Sequence, residues 1–299
     1  MKRLTSILAS IAIALAASAQ WALPHISVAH VRTAPRHSAE MSTQVLMGMP
    51  LKVLGKSDGW AEVEMPDGYK GYVITNSLTM LSDSAFDAWR HSRRVIVPAP
   101  HEVRAWSSAE RRQVATDLVS GDILAASGRG AGGMAETRLP DGRTAWVDSC
   151  FVEPLDSWAA RTPSVEGAIA MASAQTGSPY LWGGLSVKGM DCSGLTKLSL
   201  FSQGVILQRD ASQQACTGRP VEKADLRRGD LLFFGNVATG RVTHVGIYLG
   251  DDRFIESSGR VRTSVLSRRK DYLSARRVLG ISPSESEGIV PVSKHSWYF

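Results

Sequence analysis

Met190-Asp191-Cys192-Ser193-Gly194-Leu195 is the stretch on which the reading of this chain turns. An aspartate directly before a cysteine, followed by an apolar run at helical spacing, predicts an N-capped helix from Cys192 to about Gln203. The coil before it, Tyr180-Leu181-Trp182-Gly183-Gly184, is a loop, and Ser164 caps an earlier helix over Val165–Gln175 that Gly177 ends. Downstream, Arg227-Arg228-Gly229-Asp230 is a turn feeding the buried strand Leu231-Leu232-Phe233-Phe234. Thr243–Gly250 and Phe254–Gly259 read as two strands around an Asp251-Asp252 turn, with a third over Val261–Leu266. Helices first and an antiparallel sheet after them make an α+β domain.

That layout carries the chemistry. A cysteine at a helix start has free backbone N–H groups and the positive dipole end around it, which favours the nucleophilic thiolate and offers donors to an oxyanion. On its strand His244 shares a face with Gly246 and Tyr248, while Val245, Ile247 and Leu249 face the core. The imidazole is then available as a base. Across the hairpin, Glu256 falls near His244 and can fix its tautomer, the third role in a triad. A lone cysteine is more often structural than reactive, and a strand histidine is usually an ordinary surface group. The three residue types in this order point to catalysis.

The first half of the chain is an internal repeat. Gly48–Val73 (GMPLKVLGKSDGWAEVEMPDGYKGYV) aligns with Gly121–Val147 (GDILAASGRGAGGMAETRLPDGRTAWV). Pro66-Asp67-Gly68 matches Pro140-Asp141-Gly142 as a hairpin turn, because proline presets φ and glycine accepts a positive one. Closely spaced short strands predict two small all-β barrels, which close their own edges. An amphipathic helix over 82–92 joins the copies.

The 299 residues suffice for roughly two or three domains. Hydrophobic residues at 43% and charged residues at 21% exclude a disordered chain, and three cysteines exclude a disulfide-built scaffold. Residues 1–19 combine Lys2 and Arg3, a short apolar run and Ala17-Ser18-Ala19, which predicts an export signal cleaved after Ala19. The protein is then periplasmic or secreted, without a lipid anchor. Losing Lys2 and Arg3 lowers the net charge from +6 to +4, too weak and dispersed for nucleic acid. Beyond the signal no apolar run is long enough for a membrane span. No metal site and no cofactor are expected, and a monomer is favoured. Cys150 and Cys216 remain as a pair whose spacing does not decide a disulfide. The aromatic end Trp297-Tyr298-Phe299 predicts a tail docked on the body.

The two N-terminal copies resemble bacterial SH3-like domains. The first carries Trp60, Val63, Gly68 and Tyr72 in the expected places; the second is eroded, with Met134 where Trp60 stands. Such modules often only brace or target an enzyme. The region Ser164–Gly280 resembles the NlpC-type cysteine peptidases of bacterial cell-wall metabolism, which have a papain-like core. The resemblance rests on Pro179–Gly184, Asp191–Leu195, Leu226–Leu231 and His244–Tyr248. With two SH3-like copies in front, the architecture is similar to γ-D-glutamyl-diamino-acid endopeptidases that recycle muropeptides. The expected organisation is a signal over 1–19, SH3-like domains over 20–82 and 83–157, and a peptidase domain with a tail over 158–299.

The resemblance implies Cys192 as nucleophile and His244 as base. The third residue is commonly a histidine in that family; Glu256 stands there here and would hold an imidazolium more strongly. It further implies Tyr180 as an oxyanion or substrate contact, and Asp191 as partner of a free L-alanine ammonium. On the residues alone these are equally a core aromatic and a helix cap. Glu40 and Tyr69 match a pair closing the same subsite, with ordinary surface as the plain alternative. Ser193 and Arg209-Asp210 line the corresponding cleft. The implied substrates are peptidoglycan stem peptides or muropeptides. Two other readings fit the same residues: an N-acetylmuramoyl-L-alanine amidase, and a non-catalytic wall-binding protein in which Glu256 marks a decayed site.

Overall fold

The computed structural model describes residues 20–282 and 287–299; the proposed signal segment lies outside them. The first seven strands are β1 (Trp21–Pro24), β2 (Val28–Arg32), β3 (Met41–Leu46), β4 (Leu51–Ser57), β5 (Trp60–Glu64), β6 (Lys70–Ile74) and β7 (Leu78–Leu81). They form one antiparallel sheet in the order β3-β2-β6-β5-β4-β1-β7. Helix α1 (Asp83–Arg90), capped by Ser82, leads to a second set: β8 (Arg94–Ile96), β9 (Val103–Trp106), β10 (Val114–Leu118), β11 (Ile123–Ala131), β12 (Met134–Arg138), β13 (Thr144–Asp148) and β14 (Glu153–Pro154). Its order, β10-β9-β13-β12-β11-β8-β14, is the first order with every label advanced by seven. The sequence repeat is thus a repeat of topology. Trp60 and Met134 open equivalent strands, and both are buried.

Each seven-stranded set forms a small all-β module whose hydrogen-bonded ladder is open at its ends. Among the described residues, β3 does not pair with β7, nor β10 with β14. In the first module the free edge is met by the rest of the chain instead: the Leu185 backbone N–H donates to the Gln44 side chain at 2.8 Å. The two modules join through equivalent glycines. Gly48 and Gly121 both have positive φ, and a Cβ on Gly48 would lie 2.0 Å from the Ile123 carbonyl oxygen. Only a residue without a side chain admits that approach.

The remaining elements are α2 (Leu155–Ala159), α3 (Val165–Ala174), β15 (Leu185–Ser186), β16 (Gly189–Met190), α4 (Cys192–Phe201), β17 (Val205–Ile206), α5 (Ala211–Gln214), β18 (Arg219–Val221), β19 (Leu231–Asn236), β20 (Arg241–Gly250), β21 (Arg253–Ser258), β22 (Arg260–Val265), β23 (Tyr272–Arg277) and β24 (Val290–Pro291). Strands β18 to β23 build a six-stranded antiparallel sheet, ordered β18-β23-β19-β20-β21-β22. Helices α3 and α4 pack on it through Ile169, Leu195, Leu198, Phe233, Val245 and Ile247. This is the α+β domain the sequence predicts, with the helix bearing Cys192 at its centre. The Asp251-Asp252 turn has positive φ at both residues (49° and 62°), the twist a two-residue hairpin needs. The tail docks as expected: Tyr298 is buried, its carbonyl accepts from Arg94 at 2.6 Å, and Trp297 meets Trp21 edge-on. Cys150 and Cys216 are both free and exposed. No helix among the described residues is long and apolar enough to cross a membrane.

Candidate active site

Asp191 caps α4 by accepting from the Gly194 backbone N–H at 2.7 Å. The turn is pressed against the loop before it. A Cβ on Gly194 would sit 2.0 Å from the Gly184 carbonyl oxygen, so glycine is required there. Gly183, at φ +73°, donates its N–H to the other Asp191 oxygen at 2.9 Å. Cys192 is therefore set at the first helical position by a loop and a cap that fix each other. It is largely buried but lines an open cleft of about 420 Å³.

His244 reaches Cys192 from β20, beside the fully buried Val245. Its Nε2 lies 2.6 Å from Oε2 of Glu256 on β21, which leaves Nδ1 outside that contact, and the ring also interacts with the Cys192 side chain. Burial of the ring works against its charge. Hydrogen bonds and charges from Cys192 and Glu256 outweigh burial, and the ring pKa is pushed up to about 9. Glu256 is only 1% exposed. Burial would raise its pKa, but the bonds from His244 and Ser264 and the charges of His244 and Arg269 hold it down at about 2. The sequence expectation that a glutamate here would strengthen an imidazolium agrees with both directions.

The structure brings all the expected binding residues to one place. Tyr180, Asp191, Ser193, Glu40 and Tyr69 line the cleft with Cys192. The Tyr180 hydroxyl is pushed up to about 12, first by burial and then by the charges of Cys192 and Asp191, so it is a proton donor at any working pH. Asp191 is more committed than the sequence suggests. Arg209 meets both of its oxygens, at 3.2 and 2.5 Å, beside donors from Gly183, Gly194 and Ser193. A carboxylate offers about four lone-pair sites, so these donors leave little room for direct contact with an ammonium. Glu40 is freer: its Oε1 accepts from the Trp182 indole at 2.6 Å. Trp182 is 61% exposed, and its place in the Tyr180–Gly184 loop alone does not reveal this contact. Among the described residues, no group of three or more His, Cys, Asp or Glu is placed to hold a metal ion.

One wall of this cleft belongs to the first module, and four polar contacts hold it there. Glu40 meets Trp182, Gln44 meets Leu185, Thr43 accepts from Arg209 at 2.7 Å, and Asp67 pairs with Lys197 of α4 at 2.6 Å. The second module touches the catalytic domain away from the cleft, through Asp117 to Lys188 and the Pro100 carbonyl to Gln175.

A thiol at the head of a central helix, with an imidazole and a carboxylate supplied by the adjoining antiparallel sheet, defines a papain-like cysteine hydrolase. Residues 177–280 match the model of the NlpC/P60 family, and residues 31–78 match that of the bacterial dipeptidyl-peptidase SH3 domain. The chain is 27% identical over 265 residues to the γ-D-glutamyl-L-lysine dipeptidyl-peptidase of Bacillus cereus, covering 80% of this chain and 76% of that one. It is also 27% identical to dipeptidyl-peptidase 6 of Lysinibacillus sphaericus, over 77% and 85% of the two chains. Identity rises to 38% with a probable endopeptidase of Haemophilus influenzae, over 36% of this chain and 70% of that one. The crystal structure of an NlpC/P60 family protein from Bacillus cereus superposes with a TM-score of 0.76 at 24% identity, covering 87% and 99% of the chains. The chain belongs to the NlpC/P60 family of peptidoglycan endopeptidases, preceded by an SH3 domain of the dipeptidyl-peptidase kind.

Proposed function

We propose that the protein hydrolyses the γ-D-glutamyl–diamino-acid bond of peptidoglycan stem peptides that begin with a free L-alanine. The observation that carries this reading is the placement of Glu40 and Tyr69. They come from the first module, yet line the same cleft as Cys192 and Asp191. Glu40 is the less committed carboxylate and receives the substrate ammonium, while Tyr69 and Trp182 bound the subsite. A capped or glycan-bearing alanine would desolvate that carboxylate without replacing its partner, which is costly. The name of the Bacillus cereus relative points the same way.

In this reading Cys192 attacks as the thiolate on the γ-carbonyl carbon of D-glutamate. Backbone N–H groups at the head of α4 and the Tyr180 hydroxyl stabilise the oxyanion. His244, charged near neutrality because of its neighbours, gives its proton to the departing amine. The ring then takes a proton from water, whose oxygen attacks the thioester; the acid leaves and the Cys192 sulfur is regenerated. Glu256 keeps the ring oriented through both steps. Ser193 and Asp191 shape the floor of the subsite. The sequence of residues 1–19 supports export and a site of action outside the cytoplasm.

The test is incubation with L-Ala-γ-D-Glu-diaminopimelate, its N-acetylated form, and intact glycan-attached stem peptide, with products read by mass spectrometry. The free tripeptide is cleaved at least about tenfold faster than the acetylated one, and Cys192→Ala releases nothing. Equal cleavage of free and acetylated peptide would refute the ammonium subsite, and cleavage only next to muramic acid would make the protein an amidase.

A further inference from the structure

The Glu256 carboxylate has more partners than a ring-orienting residue requires. Its Oε2 accepts from His244 at 2.6 Å and from Nη1 of Arg269 at 2.8 Å. Its Oε1 accepts from the Ser264 hydroxyl at 2.6 Å and, at 3.4 Å, from Nε and Nη2 of Arg262. Arg262 stands directly opposite Glu256 in the β21–β22 register and is half exposed. Arg269 is different. Its side chain is only 24% exposed, and it is pinned on every side. Nε and Nη2 form a fork on the Asp271 carboxylate, both at 2.8 Å, and the guanidinium lies 4.1 Å from the centroid of Phe234. Stacked and forked in this way, it has one nitrogen left, and that nitrogen points at the oxygen His244 uses.

We propose that Arg269 is a positioning residue of this hydrolase: it holds Glu256 aimed at His244 and, by sharing the same oxygen, limits how tightly the imidazole keeps its proton. The proposal rests on the hydrolase reading above and deepens it.

Two demands on the ring explain why sharing matters. His244 must carry a proton to give to the leaving amine, and must then take one from water. A buried carboxylate given wholly to the ring would favour the first and oppose the second. The charged groups facing the ring and its partner are few enough to name. Cys192 comes from α4, His244 from β20, Glu256 from β21, Arg262 from β22, and Arg269 and Asp271 from the segment before β23. Phe234 of β19 and Ser264 contribute no charge. Two arginines thus draw on the Glu256 charge, and Asp271 draws on Arg269 in turn. Removing Arg269 leaves Glu256 to His244, so the ring holds its proton to higher pH. Removing the Asp271 charge does the reverse.

The experiment uses the full chain with Arg269→Met, Arg269→Lys and Asp271→Asn. Two readouts are followed: the His244 ring titration by NMR with labelled histidine, and the pH profile of tripeptide cleavage. Arg269→Met is expected to move the ring titration and the basic limb of the profile up by roughly 0.5–1 pH unit, with about tenfold slower turnover near neutrality. Arg269→Lys recovers at least half of that displacement, and Asp271→Asn moves both readouts downward. A loss of activity in Arg269→Met with the titration unmoved would show a merely structural part and overturn the proposal. So would Asp271→Asn moving upward. If Arg269→Met does not fold, the sign of the Asp271→Asn displacement decides. Failure of the hydrolase reading looks different: wild type cleaves no stem peptide at any pH while the ring titrates normally.

Discussion

Replacing Asp67 by alanine tests whether the first module is built into the active-site domain or only rests on it. Asp67 sits in the Pro66-Asp67-Gly68 turn and meets Lys197 of α4 at 2.6 Å, with side-chain exposures of 4% and 12%. The Lys197 ammonium also donates to the Leu207 carbonyl. Around the pair lies an apolar seam of Met49, Met65, Leu185, Phe201 and Ile206. Burial pushes the Lys197 pKa down, and the charge and hydrogen bond of Asp67 are the main opposition, with Asp210 a smaller one. Without Asp67 a cation stays buried with only neutral partners, a change that costs about 3–5 kcal/mol in comparable sites. Against a total stability of about 5–15 kcal/mol, that is a melting temperature lower by roughly 10 °C. The deficit should narrow as the pH rises and Lys197 sheds its proton. The double variant Asp67→Leu/Lys197→Met removes both charges and fills the seam, so it should return to within about 2 kcal/mol of wild type. Chemical denaturation of wild type, the singles Asp67→Leu and Lys197→Met, and the double variant gives the coupling energy. An Asp67→Ala cost below about 1 kcal/mol, or a double variant as unstable as the sum of the singles, would refute the reasoning. The turn also holds the Tyr69 backbone N–H at 3.2 Å from Asp67, so Asp67→Ala should raise KM for the free tripeptide as well.

Two further outcomes follow from the same geometry. The His244 ring titrates near 9 instead of 6.5, so its contribution to stability is complete below pH 6.5 and is lost as the pH climbs to 9; Glu256, near 2 instead of 4.5, contributes fully above pH 4.5 and is lost as the pH falls to 2. Urea midpoints should therefore be flat between about pH 4.5 and 6.5 and fall on both sides, by on the order of 3 kcal/mol at most because the pair shares one interaction; a midpoint that rises from pH 6.5 to 9 would contradict this. Gly194→Ala places a methyl 2.0 Å from the Gly184 carbonyl oxygen and must displace the head of α4, so turnover should drop at least about a hundredfold with the fold retained by circular dichroism; near-normal turnover would mean the sulfur's position is not what limits catalysis.

The parts of the site that could be read in the sequence are those fixed by neighbours along the chain. Asp191 before Cys192 is a cap whatever the tertiary structure, and the positive-φ Asp251-Asp252 turn sets the register that brings β21 beside β20. The matched Pro-Asp-Gly turns gave the repeat, and the repeat became a shared strand order. What stayed hidden depends on partners distant in sequence. Lys197, a lysine amid apolar helix positions, reads as solvent-facing until Asp67 is brought to it from 130 residues away. Arg262 and Ser264 had a usable signal, since alternate residues on β22 face Glu256 once the Gly259 turn is counted. Arg269 had none: it follows a short helical turn and is placed by Phe234 and Asp271. What meets the free edge of the first sheet was hidden as well, because strand length and spacing do not say what will cover an edge.

The two modules, alike in topology, divide the labour unequally, and polar contacts show this better than shape. A module that only braced an enzyme would meet it through apolar surface and exposed ion pairs, which add little and demand little geometry. The second module comes near that description: its pair with Lys188 is partly exposed and lies away from the cleft. The first module instead offers Thr43, Gln44 and Asp67 to groups that are buried in the catalytic domain, and each of those groups would lose a polar partner without it. Arg209 links this dependence to the chemistry. It takes Thr43 with one nitrogen and Asp191 with two others, so the cap of the Cys192 helix is tied to the first module through a single guanidinium. A shift of that module relative to the catalytic domain would be felt at the head of α4 as well as at Glu40 and Tyr69. The placement of Glu40 and Tyr69 in the cleft and the alignment of the sulfur are therefore set by the same interface.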